Sequence, residues 1–303
     1  MTVPCAVAPG PAAPVVLDAI ESSGGRLVEP QDAEAVIWTD PYDASTLRDL
    51  LAGLPAVRWV QLPFAGVDRF EALFGDGRVW TSNKGAYAGP VAEHALALGL
   101  AGLRQFPRRA RARSWGDEGG LRLAGSKVTV VGGGGITRSL IELLVPFDVE
   151  VTVVRRHVAP VPGATSVVGP DRLHESLAGA RLVVLALALT PETRGIIGAA
   201  ELARMEPDAW LVNVARGAHV VTDDLVAALR DGVIGGGALD VTEPEPLPAG
   251  HPLWDLDNCL ITPHTANTWE MAEPLFAGRI RENLVRYAAG EPLVGLVDAA
   301  LGY

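Results

Sequence analysis

The chain predicts an α/β fold of doubly wound parallel sheets, on three observations. Apolar β-branched runs recur along it, each followed by a helical pattern rather than a hairpin turn. One such unit, Lys127 to His157, sets four glycines, Gly132 to Gly135, between a strand and a helix. At 303 residues the chain has room for two domains, each with its own core.

Val3 to Ala8 predicts a first strand, ending at Pro9-Gly10, and Val15 to Ser22 a helix closed by Gly24-Gly25. Ala35 to Trp38 is a second strand, and Ser45 to Ala52 a helix with Ser45 as its cap. Val57 to Leu62 delivers the loop Pro63 to Asp68, and Val79 to Thr81 runs into Ser82-Asn83-Lys84-Gly85. Pro90 opens a long apolar helix that reaches the basic stretch Arg108 to Arg113, which reads as a solvated, cationic helix end. Beyond Arg156 the alternation continues with strands at Leu182 to Leu189, Ala209 to Val214, Gly235 to Val241 and Cys259 to Thr262. Thr222 reads as the cap of a helix over Asp223 to Arg230, and Trp269 to Ala289 as a last helix.

The glycine-rich unit is the arrangement that lays a dinucleotide pyrophosphate on a helix N-terminus. Gly132 permits the tight turn, and Gly134 lets the backbone approach the phosphates. The third glycine position holds Thr137, which predicts a displaced helix or a small compensating neighbour. About 20 positions past the loop an acidic residue usually grips the ribose hydroxyls. Arg155 stands there instead, followed by Arg156, and a guanidinium pair suits a 2′-phosphate. The expected cofactor is NADP(H), with NAD(H) as the alternative.

The net charge of −11 disfavours nonspecific nucleic-acid binding. No apolar run is long enough to span a bilayer, no signal peptide is evident, and Cys5 and Cys259 are the only cysteines. The expectation is a cytoplasmic protein with no nucleic-acid or membrane partner. The histidines have no metal-ligand spacing, and no nucleophile motif is present, so neither a metal nor a covalent intermediate is expected.

Three polar residues follow successive predicted strands: Arg216, Glu245 and His264. In open parallel sheets the ligand crevice lies outside those strand ends. The set is suited to carbonyl chemistry. His264 would donate or accept the proton, Glu245 would orient it and stabilise the imidazolium, and Arg216 would bind a carboxylate. His94, His157, His174, His219 and His251 lack this placement and read as structural.

Together these stretches resemble the D-isomer-specific 2-hydroxyacid dehydrogenases, in particular NADP-type glyoxylate/hydroxypyruvate reductases. The resemblance rests on N-K-G-A-Y-A-G-P-V-A-E-H-A-L (83–96), V-G-G-G-G-I (131–136) and L-T-P-E-T-R-G-I-I (189–197). It continues through V-N-V-A-R-G (212–217), G-A-L-D-V-T-E-P-E-P-L (237–247), H-P-L-W (251–254), T-P-H-T-A (262–266) and the terminal G-Y (302–303). The chain departs from the family pattern at Thr137, Arg155, Ala188, His219 and Val221.

The resemblance implies two Rossmann-like domains with a cleft between them. A discontinuous substrate domain would take residues 1–88 and 269–303, and a dinucleotide-binding domain residues 89–268. It implies that Arg216, Glu245 and His264 are the catalytic triad and that the backbone of Ala65 and Gly66 holds the substrate carboxylate. Gly132, Gly134, Gly135, Ile136, Arg155, Arg156, Leu187, Thr193, Val214 and Asp240 would bind the cofactor, Val214 and Asp240 near the nicotinamide carboxamide. The implied reaction passes hydride between NADP(H) or NAD(H) and a small 2-keto or D-2-hydroxy acid. A homodimer is implied, with the helix after Pro90 in its interface. The alternatives are a formate- or phosphite-oxidising relative, against which Glu245 weighs, and a nucleotide-responsive corepressor-like binding protein.

Overall fold

The computed structural model describes residues 2–116 and 118–298. The terminal Gly302-Tyr303 motif lies outside the described residues. In chain order the elements begin with β1 (Val3–Ala8), α1 (Pro14–Ser22), β2 (Gly25–Leu27), β3 (Ala35–Trp38), α2 (Ala44–Ala52), β4 (Trp59–Gln61) and β5 (Val79–Thr81). Next come α3 (Ala88–Leu103), α4 (Phe106–Arg111), β6 (Lys127–Val131), α5 (Gly135–Leu144), β7 (Glu150–Val154), β8 (Ser166–Val168) and α6 (Leu173–Leu177). The remainder are β9 (Leu182–Leu185), α7 (Ala199–Leu202), β10 (Trp210–Asn213), α8 (Thr222–Arg230), β11 (Gly236–Leu239), β12 (Cys259–Ile261) and α9 (Trp269–Ala289). They form two compact units, Met1–Tyr87 with Thr268–Tyr303, and Ala88–Asn267.

The first unit holds a five-stranded sheet in the order β2-β1-β3-β4-β5, and the second a seven-stranded sheet in the order β12-β11-β10-β9-β6-β7-β8. All the strand pairs are parallel, so the α/β class is borne out. Strands such as β9, β10 and β11 are buried along their whole length, which is why they read as unbroken apolar runs. In the larger sheet the chain runs outward from β6 to β8 and restarts at β9 on the other side of β6. That reversal opens a crevice at the C-terminal ends of β6 and β9. Helix α3 lies very close to the sheet. A Cβ on Gly102 would sit 2.2 Å from the Trp210 ring, and one on Gly99 about 3.0 Å from Leu182. In the first unit a buried hydrogen-bond chain fastens α9 to the sheet, with Asn283 and Thr81 both donating to Gln61 Oε1.

Several local readings are corrected. Asp43, not Ser45, caps α2, its carboxylate accepting from the Thr46 amide at 2.9 Å and from Ser45 Oγ. Thr222 begins α8 without capping it, and its hydroxyl donates to the Glu243 carbonyl at 2.8 Å. The arginine-rich stretch does not continue α3, because Gln105 is left-handed (φ 56°) and starts the separate α4. Strand β9 stops at Leu185, not Leu189, because Ala186 onward lines the reversal.

Candidate active site

Strand β6 ends at Gly132, whose φ of 116° only glycine adopts easily. A Cβ there would also lie 2.0 Å from the Ala186 carbonyl oxygen beyond β9. The next positions differ from it. Gly134 caps α5 with nothing within 4 Å of a notional Cβ, so its backbone is open to approach. The first amides of α5, from Gly135 and Ile136, have no side-chain cap and belong to the unpaired first turn of a helix, which suits an anion. Thr137 is buried and donates its hydroxyl to the Gly132 carbonyl at 3.0 Å. It therefore ties the turn to the helix. Arg155, at the end of β7, lies over the turn, its Cδ and Nε 2.7 and 2.8 Å from a notional Cβ on Gly133. An open glycine cradle with a guanidinium across it fits a dinucleotide.

On the β9 side, Leu187 and Thr193 belong to one looped segment. The Thr193 hydroxyl bridges to the Ala188 carbonyl at 2.9 Å and accepts from the Thr190 amide at 2.8 Å. Beneath the segment sits His219, fully buried, with Nδ1 3.0 Å from the Thr193 carbonyl and Nε2 3.3 Å from the Leu187 carbonyl. A neutral imidazole has one N–H and donates to one of the two. Burial pushes the His219 pKa down, the two carbonyls oppose that shift, and Arg216 and Arg194 add to it. A depressed histidine contributes stability that is full above its unfolded value, near 6.5, and is lost as pH falls through its folded value. His219→Leu is expected to remove that acid sensitivity from the melting temperature as pH falls below the ordinary histidine value of 6.5, while costing about 1–3 kcal/mol at neutral pH for the carbonyl left bare. Thermal melts across that range test it, and an unchanged pH profile would contradict it.

The three strand-end residues converge. Asn213 clamps the turn after β10, its amide donating to the Arg216 carbonyl at 2.9 Å while its Oδ1 accepts from the Ala215 amide at 3.0 Å. Arg216 Nη1 donates to the Ala215 carbonyl at 2.8 Å. A Cβ on Gly217 would lie 2.0 Å from the Thr242 carbonyl, so glycine lets this turn rest directly on the loop that carries Glu245. Glu245 Oε1 stands 2.7 Å from His264 Nδ1, both side chains a little under half exposed. The His264 hydrogen bond holds the Glu245 carboxyl below its usual range against the effect of burial, and the charges of His264 and Arg216 contribute.

His264 has φ +53°, which is uncommon for a residue other than glycine. Asp240, at the end of β11, holds it there. The Asp240 carbonyl accepts the His264 amide at 2.8 Å. Its carboxylate accepts from Thr262 Oγ1 at 2.6 Å, the Thr265 amide at 2.8 Å and the Ala266 amide at 3.1 Å. His94 on α3 completes the set, with Nε2 3.0 Å from Thr262 Oγ1 and 3.3 Å from Asp240 Oδ1. Burial alone would raise the Asp240 pKa, but these hydrogen bonds outweigh it and hold the carboxyl below its usual range. Asp240 is 2% exposed and lies beneath the His264 loop. Val214 is buried too, its amide near the Leu185 carbonyl at 3.3 Å. Sequence reading missed the positioning roles of His94, Asn213, Gly217 and His219. For His219 the one visible signal was its departure from the pattern the sequence otherwise resembles.

In the first unit, Ala65 and Gly66 are exposed in the loop after β4. Asn83 and Tyr87 fasten that loop: both donate to the Pro63 carbonyl, and the Asn83 amide donates to the Phe64 carbonyl at 3.1 Å. Among the described residues no group of His, Cys, Asp and Glu is placed to hold a metal, and no helix is long and apolar enough to cross a membrane.

Residues 94–266 match the family model described as D-isomer specific 2-hydroxyacid dehydrogenase, NAD binding domain. An uncharacterized protein in the proB 3′ region of Corynebacterium melassecola is 40% identical over 94% of this chain and 95% of its own length. Glyoxylate/hydroxypyruvate reductase A of Serratia proteamaculans is 30% identical over 89% of this chain and 87% of its own. Among solved structures, a D-isomer specific 2-hydroxyacid dehydrogenase from Xanthobacter autotrophicus, in complex with NADPH and MES, superposes with a TM-score of 0.86 at 29% identity over the full length of both chains. The chain belongs to the D-isomer specific 2-hydroxyacid dehydrogenase family and is an NAD(P)-dependent oxidoreductase of that family.

Proposed function

We propose that the protein reduces small 2-keto acids to D-2-hydroxy acids and prefers NADP(H). The observation that carries this reading is the His264–Glu245 pair at 2.7 Å with Arg216 on the adjoining turn. With Nδ1 committed to Glu245, His264 presents Nε2 as the proton donor to a carbonyl oxygen. Arg216 is suited to the neighbouring carboxylate through its forked N–H groups, and the Ala65 and Gly66 amides are assigned to the same carboxylate by family resemblance. The reduced nicotinamide supplies the hydride for the carbonyl carbon when bound. Gly132, Gly134, Gly135 and Ile136 would hold its pyrophosphate and Arg155 and Arg156 its 2′-phosphate, Leu187 and Thr193 would also contact the cofactor, and Val214 and Asp240 would stand near the nicotinamide carboxamide. In this reading Asp240 acts through the His264 loop, since its carboxylate already accepts from that loop.

Loss of absorbance by NADPH and NADH, each tested with glyoxylate, hydroxypyruvate, pyruvate and phenylpyruvate, tests the reading. The NADPH preference is expected to follow the arginines. Arg155→Ser with Arg156→Ser should raise KM for NADPH about 10–100-fold and leave that for NADH within about 3-fold. Equal losses with both nucleotides would refute the 2′-phosphate assignment. Reduction of none of these acids with either nucleotide would refute the proposed activity.

A further inference from the structure

The loop after β4 has an aromatic surround that a small keto acid does not require. Phe64 directly precedes Ala65 and Gly66, and no acceptor among the described residues takes the amides of those two. Three rings meet the Phe64 ring: Tyr87 edge-on at 6.1 Å, Tyr42 edge-on at 6.4 Å and Trp269 tilted at 6.2 Å. Tyr87 is buried, and Trp269 packs on the fully buried Phe276 at 6.2 Å, so the cluster stands on a fixed floor. Its outer members stay in solvent, Tyr42 63% and Trp269 40% exposed. The Arg69 guanidinium lies 5.2 Å from the Tyr42 ring centre and adds a cation at the rim.

Exposed aromatic surface beside backbone donors that no described acceptor takes is how a ligand site differs from a core. The donors fit an anion and the rings fit a flat apolar group a short distance away. In an aryl 2-keto acid only a carbonyl and a methylene separate the carboxylate from the ring, so both halves of this loop would be engaged at once. Glyoxylate carries a hydrogen in place of the side chain and uses only the donors. Ring partners at 6.1–6.4 Å are within the range of aromatic pairing, and a further ring would extend the same edge-to-face pattern.

We propose that Phe64, Tyr42 and Trp269 form the seat of the substrate side chain, and that the preferred substrates are aryl 2-keto acids of the phenylpyruvate type. This rests on the assignment of the Ala65 and Gly66 amides to the substrate carboxylate. The reaction balances as for any 2-keto acid. Hydride from the reduced nicotinamide forms the new C–H bond, a proton from His264 forms the O–H bond, and oxidised nucleotide and the aryl 2-hydroxy acid leave.

The test is steady-state reduction of phenylpyruvate and glyoxylate by the full-length protein with NADPH, beside calorimetric titration of the same acids. The expected result is a kcat/KM for phenylpyruvate at least about 10-fold above that for glyoxylate, with that ratio falling about 10-fold in Phe64→Ala. Tyr42→Ala, at an exposed ring, guards against a folding defect and should lower the ratio in the same direction. A ratio near one, or one unmoved in both variants, overturns the aryl seat while leaving the reductase reading in place. If neither acid is reduced, the reductase reading is judged by the wider panel of acids and nucleotides, and the titration decides the seat. Phenylpyruvate binding about 10-fold tighter than glyoxylate and weakened by Tyr42→Ala supports it, and equal binding overturns it.

Discussion

His264→Asn is expected to lower kcat for 2-keto acid reduction by about 10²–10⁴-fold, with KM for NADPH nearly unchanged. Asparagine is the informative replacement because residue 264 sits at φ +53°, where alanine adds backbone strain that asparagine largely avoids. The variant should therefore keep the loop and lose the proton donor. Glu245→Gln should have a smaller effect, about 10–100-fold in kcat, because the imidazole remains but its anionic partner is gone. Both side chains are close to half exposed, so neither change should greatly affect folding. Single-turnover measurements with NADPH would separate a loss of chemistry from a loss of binding. A His264→Asn enzyme within 3-fold of the parent would remove the histidine from the proposed mechanism.

Much of this site could be read before the fold was known, for a physical reason. Parallel strands end in loops on one side, so a polar residue just after an apolar run marks the crevice; Arg216 and His264 carry that mark, and Glu245 lies farther along the loop after β11. The turn at Gly132 was equally legible, because the residue itself reveals the backbone it permits. What holds these groups in place could not be read the same way. His94 meets Thr262 across 168 residues, and His219 reaches carbonyls 26 and 32 residues upstream, contacts that no local spacing encodes. Strands β2 and β8 escaped notice because they are three residues long and half-buried at sheet edges, without an apolar run. Thr137 looked like a defect in a glycine pattern, and only the position of the Gly132 carbonyl reveals it as a brace. The caps failed for a similar reason. Asp43 and Ser45 are both plausible by type, and backbone geometry alone chooses between them.

Asp240→Ala is expected to be the most damaging single change to the site, costing about 3–5 kcal/mol of stability and most of the activity. The carboxylate is one buried group serving several donors. Its removal leaves the Thr262 hydroxyl and the Thr265 and Ala266 amides without their acceptor, and frees a loop whose His264 backbone is strained. Asp240→Asn separates shape from charge. Its amide oxygen can still accept on one side, but its NH2 would face an N–H donor on the other, so about 1–3 kcal/mol should be lost. The pH dependence distinguishes it further. The Asp240 carboxyl is held below its usual 3.8, so its contribution is present above that value and is lost as pH falls through the lower folded value. The parent should therefore lose stability below about pH 4 more steeply than Asp240→Asn, and the two curves should converge in acid. Urea titrations at several pH values, paired with kcat, check both statements. Parent-like stability in Asp240→Asn together with parent-like kcat would mean that the loop keeps His264 in place without the carboxylate, and the geometry at φ +53° would then need another source of support.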